Sequence, residues 1–253
     1  MNGIDIIRHG IDMLLRNLSQ ALRISAGPFV LLFLATLVLA AVGFGPADVN
    51  PETGEITGSI GGATLGGLVG LLLGLLVFSW VAVAWHRYVL LEETPPGLLP
   101  AFRSELVWPY LGRSVLIALI LIVAAIPLGL VMGLVFAAGQ SIIATVIVGL
   151  VLWIVLGWLG MRLSLVLPAR AVDKPITFGE SWAATAPASG PIALVVVVLG
   201  VLNVVLGLLF AQVGANILGT LLGLLLQWFT ALLGLSVLTT LYGSLVERRP
   251  LAA

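Results

Sequence analysis

Six long apolar runs, separated by shorter polar connections, constrain this chain more than any other feature of its sequence. A helix crosses the hydrocarbon core of a bilayer, about 30 Å thick, with roughly 20 apolar residues, and each run is about that long. Charged residues make up 9% of the chain, against about 25% in a soluble domain. We therefore predict an all-α membrane protein with six transmembrane helices in a single membrane domain. The predicted spans are residues 28–44, 60–84, 114–137, 142–166, 191–213 and 218–242.

Residues 1–27 precede the first span and have the pattern of an amphipathic helix. Apolar side chains recur at Ile4, Ile7, Ile11 and Leu14, which is the i, i+3, i+7 spacing of one helix face. We expect this segment to lie flat on the membrane surface, where it covers the ends of the spans. Gly27-Pro28 marks the expected break before the first span.

The basic residues fall in alternate connections, and this distribution predicts the orientation of the chain. All 11 Lys and Arg lie on the same side, namely before span one, between spans two and three, at the exit of span four (Arg162), between spans four and five, or after span six. By the positive-inside rule, both termini are cytoplasmic and the polar connections on that side form short helices. The formal net charge is zero, which argues against nucleic acid as a partner.

Glycine recurs every fourth residue along the second span, and this stripe predicts its packing. One helix turn is 3.6 residues, so such residues share one face, and a face without side chains lets another backbone approach closely. We interpret this helix as a central post against which the other spans pack. The stripe consists of Gly58, Gly62, Gly66, Gly70 and Gly74.

Three hairpins of similar length suggest an internal repeat. Arg87 and Arg162 are 75 residues apart, and Trp108 and Trp182 are 74 apart. Each unit would consist of an amphipathic cytoplasmic segment, a span out and a span back. Hairpins of similar length also resemble one another without any repeat, and this alternative stays open.

The residues that carry chemistry are few. The chain has no Cys, its two histidines are far apart, and no ionisable residue lies near the middle of a span. We therefore predict no catalytic residue, metal site or cofactor, since proton relays and ion-coupled transporters usually need such groups. Two amides, Asn203 and Gln227, lie within spans five and six. We expect them to hydrogen-bond between helices; alternatively, they line a path for a neutral solute.

Basic and aromatic residues collect where the spans meet the cytoplasm, and we name this set the collar. Such a set can hold anionic lipid headgroups or a partner protein. Ordinary snorkelling of arginines to the membrane surface is the alternative. The collar consists of Trp85, His86, Arg87, Arg103, Trp108, Arg113, Arg162, Arg170 and Trp182.

Several short runs carry a family resemblance. They are Ala21–Pro28, Trp85–Leu91, Arg162–Pro168, Glu180–Trp182 and Leu241–Glu247. On these runs the chain resembles a group of six-span proteobacterial membrane proteins of unknown function, similar to the membrane domain of some bacterial glycerophosphodiester phosphodiesterases. The resemblance implies a bacterial inner membrane and a helical-bundle module. It implies no reaction, because none of the shared runs is catalytic and the soluble phosphodiesterase domain is missing.

Together these features predict a non-catalytic membrane module, such as a scaffold, an assembly factor or an accessory subunit. Its expected partners are membrane lipids and other membrane-protein subunits. The alternative is a transporter or lipid-handling protein for a neutral or lipidic solute.

Overall fold

A computed structural model of the chain describes residues 2–45, 48–49, 56–57, 59–95, 97, 99–137, 139, 142–211, 213 and 216–250. These residues form nine α-helices, a π-helical turn (Ala40–Phe44) and a 3-10 turn (Ala186–Ala188). The helices are α1 (Gly3–Arg16), α2 (Leu18–Leu39), α3 (Ile60–Leu91), α4 (Ser104–Ala137), α5 (Ile142–Leu163), α6 (Val166–Ala171), α7 (Phe178–Thr185), α8 (Ser189–Ala211) and α9 (Ile217–Leu245).

The predicted all-α class and the six spans are confirmed. Six helical stretches are long and apolar enough to cross a membrane, as expected of a multi-pass membrane protein. The only β-pairing in the described residues is a two-residue antiparallel ladder in the first connection. In it, strand β1 (Asp48–Val49) pairs with strand β2 (Ile56–Thr57).

The spans pair as three hairpins, α2 with α3, α4 with α5, and α8 with α9. Neighbouring hairpins touch where α3 meets α4 and where α5 meets α8, and α3 also packs on α9. The short helices lie at the end of the bundle where Arg87 and Arg162 leave the spans. We call this end the basic end, and the opposite end, where the spans turn back within each hairpin, the far end.

Each amphipathic segment packs on the returning span of another hairpin. The start of α4 contacts α3, and α7 contacts α5. The helix α1 packs on α9, so the first segment of the chain closes the ring onto the last span. The three hairpins therefore use one kind of contact at the basic end, while the repeat itself stays a sequence-based prediction.

The predicted amphipathic helix at the start of the chain is confirmed as α1, which packs on α8 and α9. One face of α1 is buried against α8 and α9, and a Cβ atom added at Gly10 would lie 2.9 Å from a Val237 methyl and 3.3 Å from its backbone nitrogen. Close backbone approach thus lets α1 dock into the bundle. Ile4, from the predicted apolar face, remains exposed.

The break after α1 lies at Asn17. The predicted break at Gly27-Pro28 is wrong, because α2 continues through both residues. The Asn17 Nδ2 group donates to the Met13 carbonyl at 2.8 Å, which satisfies an acceptor at the end of α1. Its Oδ1 atom accepts from the Tyr88 hydroxyl at 2.6 Å. Asn17 therefore ends α1 and ties the bend to α3.

Side-chain burial divides the bundle into a closed half and an open half. The fully buried large side chains include Trp85, Tyr110, Leu232 and Leu241, and they belong to the half nearer the basic end. In the far half, α9 between Leu218 and Gln227 has one buried residue, Gly219, and two partly buried ones, Gly223 and Leu226, and the other side chains of this stretch are exposed. The hairpins thus pack on one another mainly near the basic end.

The glycine stripe does not form a central post. A Cβ atom added at Gly62 would clash with the backbone carbonyl of Gly43, and one added at Gly66 would clash with that of Phe44, both in the π-helical turn. At Gly70 and Gly74 an added Cβ would meet no atom within 4 Å. Only one end of the stripe packs, because α2 ends against that part of α3. Gly58 lies outside the described residues.

The expected interhelical bonds of the span amides are also corrected. The Asn203 Nδ2 group donates to the Leu199 carbonyl of its own helix at 2.8 Å, and its side chain is exposed. Gln227 is exposed as well. Both amides lie in the open half of the bundle, and no hydrogen bond from either to another helix occurs among the described residues. One polar side chain that does join two spans is Ser25 of α2, which accepts from the Trp228 indole N–H at 2.8 Å.

Candidate functional site at the basic end

The arginines of the basic end bind backbone carbonyls of other segments. A guanidinium has several N–H donors and can satisfy carbonyls left without a partner at the ends of helices. Two such carbonyls lie at the ends of α6 and α3, where a positive charge also interacts favourably with the helix dipole. The donor–acceptor pairs are Arg23–Gly97, Arg87–Ala171, Arg113–Ile176, Arg162–Trp182, Arg170–Glu105 and Arg249–Leu90.

One acidic residue joins two arginines of the collar. The Oε2 atom of Glu93 accepts hydrogen bonds from Nη2 of Arg87 at 2.6 Å and from Nε of the same residue at 2.8 Å. The Oε1 atom accepts from Arg103. The three side chains line a pocket of about 40 Å³ between α2, α3 and the loop that precedes α4. Because both carboxylate oxygens are engaged, Glu93 acts here as a bridge between segments.

His86 lies inside the bundle, in a closed hydrogen-bond chain. Its Nδ1 is 2.8 Å from the Thr239 hydroxyl, and its Nε2 is 3.3 Å from the Tyr110 hydroxyl. The Thr239 hydroxyl donates to the Leu235 carbonyl, so it must accept from Nδ1–H. Nε2 is then the acceptor for the Tyr110 O–H. This neutral chain joins α3, α4 and α9.

The tryptophans of the collar separate into core and surface residues. Trp85 is fully buried and packs near Tyr88. Trp108 is 55% exposed and Trp182 is 38% exposed, as expected of indoles at a membrane–water interface. The inclusion of Trp85 and His86 in a lipid-binding collar is therefore wrong, since no headgroup can reach them without opening the bundle.

Arg162 is the most enclosed arginine of the collar, with 5% of its surface exposed. Its Cζ atom lies 3.5 Å from the centre of the Trp182 ring and 4.9 Å from that of Trp158. Nε donates to the Thr185 hydroxyl at 3.1 Å, and Nη2 donates to the Trp182 carbonyl at 2.8 Å. The Ser181 hydroxyl returns a bond to the Arg162 carbonyl at 2.7 Å. These contacts hold α7 against α5.

The arrangement offers little acid–base or metal chemistry. No group of three His, Asp or Glu that could hold a metal occurs in the part of the chain that the structure describes. His86, the histidine within the collar, has both ring nitrogens engaged and is closed to substrate. The basic end can present arginine side chains and the exposed indoles of Trp108 and Trp182 to a ligand at its margin.

Three residues of this site were missed by reasoning from sequence. Tyr110 and Thr239 complete the His86 chain, and Thr185 binds Arg162. Glu93 was expected from its position in the sequence to pair with the arginines of the collar, and it does so. One signal could have found two of the missed residues. His86 and Tyr110 are 24 residues apart, and Arg162 and Thr185 are 23 apart, so a polar partner follows at nearly the same distance in two of the predicted repeats.

Comparison of the chain with family models, with curated proteins and with solved structures gives no match. The resemblance to the phosphodiesterase membrane domain therefore stays a prediction.

Proposed function

We propose that this chain is a non-enzymatic module of a bacterial inner membrane, serving as a scaffold or accessory subunit of a larger membrane complex. The observation that carries the proposal is the division of the bundle. Near the basic end the hairpins are joined by satisfied polar contacts, whereas in the far half apolar side chains such as Leu72 and Leu134 are 65% and 71% exposed. A bundle that is packed at the basic end and exposes apolar side chains in the far half suits the binding of neighbouring helices or lipid better than it suits a reaction.

The polar inventory supports the same proposal. The candidate acid–base group, His86, is enclosed, and Glu93 is held by two arginines. Membrane helices associate through close packing of small side chains, and on α3 a Cβ atom added at Gly67, Gly70 or Gly74 would meet no atom within 4 Å. The far half of α3 is therefore open to the helix of another subunit.

Photocrosslinking in the native membrane tests the proposal. A photoreactive amino acid at Leu72, Leu134 or Leu221 is expected to give one protein adduct of defined mass, because all three side chains are exposed in the far half. The same amino acid at Glu92, which is exposed at the basic end, serves as the control and should not give that adduct. Adducts with lipid alone at all three positions would count against a subunit role.

The second candidate is a lipid-handling protein or transporter, favoured by the exposure of Asn203 and Gln227 within the spans. Exposed amides inside a bilayer are costly and commonly mark a polar path. In proteoliposomes this candidate predicts solute or lipid movement that is lost in Asn203→Leu and Gln227→Leu. The module predicts no movement in the wild type, so one assay separates the two functions.

Orientation has its own test, and the absence of Cys from the chain removes background labelling. If the basic end is cytoplasmic, Asp48→Cys should react with an impermeant maleimide added to spheroplasts, and Ala101→Cys should react only after lysis. Labelling of Ala101→Cys in intact spheroplasts would reverse the orientation.

A further inference from the structure

We infer that Arg162 binds the phosphate group of an anionic phospholipid, at the margin of the basic end between α5, α7 and the start of α8. This inference rests on the proposed function only in taking the basic end to lie at a membrane surface. It adds the class of lipid that the module holds and the residue that selects it.

The donors of Arg162 are only partly used. A guanidinium carries five N–H groups. Thr185 and the Trp182 carbonyl accept two of them, and the other three have no acceptor among the described residues. The Nη1 atom, which carries two of those hydrogens, is therefore available to an oxygen-rich ligand.

The charge of Arg162 is not balanced within the described part of the chain. Five ion pairs occur there, and none involves Arg162. The carboxylate of α7, Glu180, instead accepts from the Thr177 backbone and hydroxyl at 2.6 and 2.8 Å and caps its own helix. A buried cation without a negative partner is unfavourable in an apolar setting, and a headgroup phosphate would supply that partner.

The surroundings of Arg162 favour a lipid over a soluble anion. Trp158 and Trp182 pack edge-to-face with ring centres 5.6 Å apart and hold the guanidinium by cation–π contact. The Trp158 N–H donates to the Ser189 hydroxyl at 3.2 Å, which ties the ring to the start of α8. Partly exposed indoles of this kind occupy the headgroup level of a bilayer. A phospholipid would place its phosphate at the guanidinium edge and its acyl chains along the apolar spans.

Native mass spectrometry of the full chain in mild detergent tests the inference. With equal amounts of phosphatidylglycerol and diacylglycerol, which has no phosphate, the wild type should retain the anionic lipid about tenfold more, the range of a charge-assisted bidentate contact. Arg162→Gln should lose this preference. The control Arg8→Gln, an exposed arginine of α1, should keep it, and Arg162→Lys should keep part of it.

Each result decides the inference. Equal retention of both lipids by the wild type would overturn it, and so would a preference that survives in Arg162→Gln. If Arg162→Gln does not fold, Arg162→Lys and the wild-type comparison still decide. Displacement of the lipid by millimolar inorganic phosphate would assign the site to a free anion and would also overturn it. Because no flux or crosslink is measured, failure here leaves the module proposal standing, and failure of the module proposal leaves this site intact.

Discussion

Replacing Gly66 by alanine is expected to destabilise the protein strongly, whereas the same change at Gly70, one helical turn further along α3, should be harmless. An added Cβ at Gly66 would overlap the Phe44 carbonyl oxygen and lie 2.8 Å from the carbonyl carbon. Both atoms are backbone, so no rotamer change relieves the clash, and the end of α2 must move away from α3. Overpacking of this kind costs roughly 1–3 kcal/mol and occasionally more.

At Gly70 the added methyl meets nothing within 4 Å. Alanine is a better helix former than glycine by about 0.5–1 kcal/mol, so Gly70→Ala should leave the thermal midpoint unchanged or raise it slightly. Each variant adds one methyl group to α3, and the two differ only in its position. Their midpoints are compared by thermal unfolding in detergent. A similar fall in the midpoint for both would mean that the far half of the glycine stripe is packed after all.

Removal of the His86 side chain is the second change with a large expected effect. His86→Leu leaves the Tyr110 hydroxyl buried without an acceptor, since Tyr110 is 2% exposed and bonds His86 Nε2. An unsatisfied buried donor costs about 1–3 kcal/mol, and the lost bond between His86 and Thr239 adds to it. We expect a total loss of about 3 kcal/mol, measured by unfolding in mixed micelles of mild and denaturing detergent.

A double-mutant cycle separates this hydrogen-bond chain from ordinary packing. Tyr110→Phe removes the hydroxyl that His86→Leu leaves without a partner, so the double variant should be less destabilised than the sum of the single changes, by about 1 kcal/mol or more. The control is His9→Ala, a half-buried histidine of α1, with an expected change below about 0.5 kcal/mol. Strict additivity of His86→Leu and Tyr110→Phe would contradict the chain described here.

The class and the number of spans could be predicted from sequence because the membrane imposes them locally. A run such as residues 114–137 needs no partner to be identified as a span, since its length and apolar content alone suit a bilayer. The amphipathic pattern of α1 was equally local, because Ile7 and Leu14 recur with the helix period.

The packing partners of those helices could not be predicted, because residues far apart in sequence decide them. Gly66 and Gly70 occupy equivalent positions in the stripe, yet only Gly66 meets α2, since α2 ends at that level. Likewise nothing in the sequence pairs Arg87 with the Ala171 carbonyl or His86 with Thr239, which is 153 residues away.

The sequence by itself thus determined the helical class, the six spans and the location of every basic residue in alternate connections, because bilayer thickness and helix period act on neighbouring residues. The tertiary structure decided which of those residues are accessible. It enclosed Trp85 and His86 in the core, used most collar arginines to satisfy helix and loop carbonyls, and left Arg162 with donors to spare. The physical reason is that buried polar groups must find partners, and in this fold those partners come from other hairpins.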